Sequence, residues 1–181
     1  PDYTVGTLLG HDKITGFWYI IDVQRFRKSP GSTLDIIKRT AARDGKLVPI
    51  RLEQEPGSSG KFTVHTFMNA LAEYEVTGDR PKGSKEVRAY PVSVRAQPVA
   101  GATHGLFRVV EGAWNEEWFS ELELFPKAEH DDQVDSLSGG YMYLAKGIGG
   151  AATHSYRTAA AEPGVQSGDL TLVGEKYVDR V

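Results

Sequence analysis

Three carboxylates fall within five residues in His130-Asp131-Asp132-Gln133-Val134-Asp135. Behind them Val134, Leu137, Tyr141 and Leu144 recur at helical spacing, which predicts a helix with one apolar face. Asp132 and Asp135 share a face of that helix, and Asp131 sits beside them in its first turn. Acids this close repel one another unless something positive lies between them. One reading is a solvated helix start, because acids in a first turn suit the helix dipole. The other is a divalent metal site, since Mg²⁺ and Mn²⁺ are hard ions that prefer carboxylate oxygens and water. His130 adjoins the acids and could touch a metal or a phosphate. The remaining histidines (His11, His65, His104, His154) are scattered and form no tight ligand pair.

A second acidic stretch, Leu52-Glu53-Gln54-Glu55-Pro56-Gly57, follows a short apolar run that reads as a buried strand. Ligands collect at the C-terminal ends of strands in open α/β sheets, so Glu53 is a candidate there. A solvated strand-to-helix loop is the alternative. Gly57-Ser58-Ser59-Gly60-Lys61 invites comparison with a phosphate-binding loop, but Glu55 and Phe62 stand where that motif needs Gly and Ser or Thr. No serine-hydrolase elbow is present either. Arg80, Lys82, Lys85 and Arg88 form the compact basic cluster, a solvated loop or a set of phosphate contacts if the acids bind metal. Trp114 and Trp118 at helical spacing read as core.

These groups need a scaffold, and 181 residues supply one domain of ordinary size or a domain with a tail. Apolar residues make up 40% and charged residues 25%, the balance of a globular chain. The net charge of −3 rules out an overall basic field, so a nucleic-acid partner needs a local patch or metal ions. With no cysteine, disulfides, thiolate zinc sites and cysteine nucleophiles are excluded, and a cytoplasmic setting is suited. No apolar run approaches the roughly 18 residues of a membrane span. The chain starts at Pro1 without an initiator Met, which reads as a processed product or an excised fragment.

In order, strands are expected over residues 3–10 and 17–26, joined by hairpin chemistry at Asp12, Lys13 and Gly16. Ser29-Pro30-Gly31-Ser32 can cap a helix that keeps its spacing to Ala41 and stops at Gly45. A strand over 47–53, a helix over 60–74 and a strand near 74–77 follow. Residues 86–97 are ambiguous, since Val87, Tyr90 and Val94 suit a helix while Pro91 and the β-branched residues suit a strand. A strand over 106–110 and an amphipathic helix from Trp114 to Phe125 lead to the acidic helix. The pattern expects an α/β mixed sheet flanked by helices, with one domain over 1–146 and a flexible Gly/Ala-rich C-terminal tail over 147–181.

Four stretches in this order resemble the C-terminal nuclease domain of tailed-bacteriophage terminase large subunits. They are Asp2-Tyr3-Thr4-Val5-Gly6, Glu53 to Lys61, Trp114-Asn115 with Phe125-Pro126, and His130 to Asp135. The resemblance spans about residues 2–145. It implies an RNase H-like fold and a metal-dependent endonuclease that cuts concatemeric phage DNA, using two Mg²⁺ or Mn²⁺ ions held by carboxylates. By that pattern Glu53, Asp131 and Asp132 would be catalytic and would ligate the metals in one pocket. Asp135 would be the extra metal-ligating acid seen in related Holliday-junction resolvases, which are an alternative reading. A module that only binds DNA or a partner is another. Lys82, Lys85 and Arg88 would contact DNA. Implied partners are double-stranded DNA, the terminase ATPase domain, the small terminase subunit and the portal, in the host cytoplasm. The family's first metal-binding Asp precedes the Asp2-Tyr3-Thr4-Val5 stretch, and Asp22 is a poor substitute by motif order. An incomplete carboxylate set, and weak activity with Mg²⁺, are therefore expected of the chain.

Overall fold

The computed structural model of the chain describes residues 3–147. The tail expected from residue 147 lies outside the described residues, apart from Gly147 itself, which ends the last helix. Within them, two compact units separate, one holding residues 3–27 and 83–147 and the other residues 28–82.

The first unit opens with β1 (Thr4–His11) and β2 (Trp18–Phe26), antiparallel and joined through the turn that Asp12 organises. Its carboxylate accepts the Ile14 N–H at 2.8 Å and the Thr15 hydroxyl at 2.5 Å, so a short polar side chain fixes the hairpin. The register slips between Leu8 and Leu9. A further strand of this unit (Phe107–Val109) lies parallel to β2 on its other edge, giving a mixed three-stranded sheet. β2 is the central strand, and its apolar run explains why: Trp18, Ile20 and Val23 are buried with Leu9, Trp118, Leu137 and Tyr141.

The second unit is a strand–helix–strand arrangement preceded by α1 (Pro30–Asp44). Ser29 caps α1 by accepting the Ser32 N–H, Pro30 starts it, and Gly45 at φ 90° ends it, as the sequence expects. Then come β3 (Ile50–Glu53), α2 (Ser58–Ala70) and β4 (Val76–Asp79), with β3 and β4 parallel. β3 is shorter than expected because residues 45–48 close a turn through the Val48 N–H and the Gly45 carbonyl. α2 stops at Ala70, four residues early, and Leu71 and Tyr74 continue it as turns with Leu71 buried. Phe62 points outward and is exposed. β4 extends two residues past the expected Thr77.

Residues 86–97, ambiguous in sequence, are helix α3 (Lys85–Ala96) with Pro91 inside. The Ser84 hydroxyl accepts the Val87 N–H and supplies the N-cap. The apolar stripe does not face the core: Val87, Tyr90 and Val94 are 64%, 68% and 47% exposed. Val92 is the buried contact, and Lys85 and Arg88 turn toward the acidic helix. After β5 (Phe107–Val109) come α4 (Asn115–Leu124) and α5 (Asp132–Gly147). α5 packs on β1, α3 and α4. No helix among the described residues is long and apolar enough to cross a membrane.

Candidate functional site

The acid-bearing end of α5 is held from three sides. Asp131 carries the cap position, its carbonyl accepting the Asp135 N–H at 3.1 Å. The Gln133 N–H is one of the donors a helix start leaves without an internal partner. Glu121 of α4 supplies that partner: one carboxylate oxygen accepts the Gln133 N–H and the other accepts its side-chain amide, both at 2.7 Å. Gln133 is 1% exposed and Glu121 6%, so these bonds are dry. Arg25 of β2 backs Glu121 at 3.5 Å and also pairs with Glu117. On the sheet side the Thr7 hydroxyl donates to Ser136 at 2.9 Å. One turn further along, Gly140 lies so close to Leu9 that a Cβ there would collide with it.

α3 supplies the positive charge that three neighbouring acids demand. The Lys85 ammonium donates to Asp131 and lies 3.0 Å from Asp135. Arg88 donates to the other oxygen of Asp135 and to the Gly83 carbonyl, the latter at 3.1 Å. Burial disfavours the Lys85 ammonium, but its hydrogen bonds to Asp131 and Asp135 outweigh that and raise its pKa above the ordinary lysine value. Asp135 and Arg88 are each 16% exposed in their side chains, which makes this pair the drier one. Asp132, half-buried, opens the helix.

Of the expected DNA contacts, Lys85 and Arg88 thus meet carboxylates, while Lys82 stands exposed in the preceding turn. His130 faces the Tyr3 ring and Arg27. Trp118 is core and Trp114 packs against it edge-on at 5.8 Å.

In the other unit Glu53 ends β3 and is exposed. Its parallel neighbour in register is Asp79, the last residue of β4. Arg51 serves both acids, 4.0 Å from Glu53 and 3.4 Å from Asp79. The loop after Glu53 turns tightly because Gly57 adopts φ 96° and Gly60 packs on the Glu55 carbonyl, where no Cβ fits. Asp79 carries no signal in the sequence because the strand pattern there ends at Thr77, two residues short of the end of β4. Glu121 carries none because a polar residue on an amphipathic helix gives no periodic signal of burial.

Among the described residues no group of three or more His, Asp or Glu side chains is placed to hold a metal ion. The oxygens have the right chemistry for a hard cation, but Asp131 and Asp135 already carry Lys85 and Arg88. In this arrangement they do not fit an ion. Comparison with known families matches residues 1–144 to the family described as the Terminase RNaseH-like domain. No curated protein matches the chain.

Proposed function

Because the chain belongs to the terminase RNase H-like domain family, we propose that it cuts DNA as the nuclease of a viral genome-packaging machine. The coarse identity is direct: a mixed α/β domain of RNase H-like type and a terminase nuclease-type module. The finer reading is that it hydrolyses phosphodiesters of concatemeric phage DNA with Mg²⁺ or Mn²⁺, two ions in the resemblance. By the resemblance Glu53, Asp131 and Asp132 would do that work, and Asp131 would have to give up its pairing with Lys85 to hold an ion. The observation that carries the reading is the family match across 1–144, which includes both acidic stretches. Double-stranded DNA is the substrate, and the ATPase domain, small subunit and portal are partners in the host cytoplasm.

The Lys85 and Arg88 pairs favour a second reading, a packaging module that binds DNA or a partner without cutting. Incubation of supercoiled plasmid with Mn²⁺ separates the two. Nicking that Asp132→Asn abolishes supports the nuclease, and stable binding of intact plasmid supports the module. Preference for four-way junctions over linear duplex would point instead to resolvase-like cutting.

A further inference from the structure

We propose that Arg27 and His130, seated on the Tyr3 ring, form a binding site for a backbone phosphate of nucleic acid beside the acidic end of α5. The proposal rests on the reading of the chain as a DNA-acting protein and names where that DNA is gripped. Tyr3 has two guanidinium groups over its ring, Arg25 at 3.6 Å and Arg27 at 3.9 Å from the centroid. Two like charges on one ring must be answered by anions or by favourable stacking. Arg25 is answered: it pairs with Glu117 and Glu121 and is nearly buried. Arg27 is exposed, and among the described residues it meets no carboxylate. Its Nη2 instead lies 3.3 Å from His130 Nε2.

The geometry prepares both groups for an oxyanion. Contact with the Tyr3 ring and with His130 restrains the Arg27 side chain, and a restrained fork matches two phosphate oxygens with less further loss of freedom. With Nε2 accepting from Arg27, the His130 proton lies on Nδ1 and makes a second donor. The His130 ring is itself held edge-on to Tyr3, with centroids 5.1 Å apart at 79°. His130 directly precedes Asp131, so a phosphate gripped here lies next to acids that would otherwise repel it. Lys85 and Arg88 are poorer candidates for that role, because their charge is spent on Asp131 and Asp135.

The test is binding of a labelled duplex to the full chain in chelator, where no cutting occurs, over a series of salt concentrations. Arg27→Ala should weaken binding about fivefold to tenfold at moderate salt and lower the salt slope by about one. His130→Ala should weaken binding by a smaller factor. Arg27→Lys should keep the slope, which counts charges, but lose affinity, because it lacks the fork. Lys38→Ala, an exposed cation on α1, serves as the surface-charge control and should change neither. Wild-type affinity and slope in both Arg27→Ala and His130→Ala would overturn the proposal while leaving the nuclease reading standing. If the wild-type chain binds no duplex, the DNA reading fails, and the site is then judged with inorganic phosphate. A shift of the His130 ring resonances that Arg27→Ala removes would uphold the anion site, and no shift would overturn it too.

Discussion

Glu121 on α4 receives two hydrogen bonds from Gln133 on α5, one from the backbone N–H and one from the side-chain amide, each 2.7 Å long. A side chain of one helix therefore completes the start of another, the helix that bears Asp131, Asp132 and Asp135. Removing the carboxylate strands the Gln133 donors and takes a partner from Arg25. Glu121→Ala should cost about 2–4 kcal/mol, since each buried polar group left unpaired costs about 1–3 kcal/mol. Glu121→Gln keeps an acceptor for the backbone N–H and should cost about 1 kcal/mol. Urea denaturation of both variants measures this, and equal small losses would show that the bonds are replaced by water.

The α3–α5 ion cluster should contribute unequally through its two cations. Arg88 and Asp135 are mostly buried, so Arg88→Ala should cost about 1–2 kcal/mol, largely from the carboxylate left behind. Lys85 is 42% exposed, and Lys85→Ala should cost under about 1 kcal/mol after solvent screening. A double-mutant cycle of Arg88→Ala with Asp135→Asn isolates the pair. Additive losses would contradict direct coupling. In DNA binding, Lys82→Ala should lower the salt slope, whereas Lys85→Ala and Arg88→Ala should act mainly on stability.

Gly140 predicts a loss where helix propensity alone predicts a gain. Alanine is the better helix former, yet a Cβ at 140 meets the terminal methyl of Leu9, which is 3% exposed, so turning it aside disturbs a close-packed core. Gly140→Ala should therefore lower stability by about 1–3 kcal/mol. Thermal denaturation decides it, and an unchanged or raised Tm would mean that α5 shifts away from β1 at little cost.

His11 should give the fold a pH dependence on its acid side. Its ring packs on Trp18 with centroids 4.2 Å apart. Burial holds its pKa below the usual histidine value. Asp12 pulls it up, and Arg95 and Lys13 push it down further. The unfolded chain therefore takes up this proton at higher pH than the fold does. The contribution is present above about pH 6.5 and is lost as pH falls through the lowered folded value. Unfolding free energies at about pH 7 and 5 should fall less for His11→Phe than for the parent. Parallel curves would remove His11 as the source.

Legibility followed the kind of signal each element carried. β1, β2, α1, α4 and α5 were readable because hairpin turn residues, caps and 3.6-residue spacing are local. α3 was not, since Pro91 and the β-branched residues argued for a strand while its stabilising contacts, Lys85 and Arg88 on the acids of α5, are about 46 positions away in sequence. Its outward Val87, Tyr90 and Val94 show that periodicity reports a helix without reporting which side is covered. The acidic helix start was legible as a charge problem needing a cation. That the answer within the described residues is an ammonium and a guanidinium could not be read from spacing, because it depends on tertiary packing. Asp79 became visible only once parallel pairing set it beside Glu53.

The central claim, that this terminase domain cuts DNA, is tested most directly by supercoiled plasmid incubated with the chain in Mn²⁺, with Asp132→Asn beside it. Nicked and linear product is expected from the parent chain, less with Mg²⁺, which demands near-ideal octahedral ligands. None is expected from Asp132→Asn, whose melting temperature should match or exceed that of the parent. Plasmid that is bound but left intact by the parent chain in Mn²⁺ would contradict the claim and leave a DNA-binding packaging module.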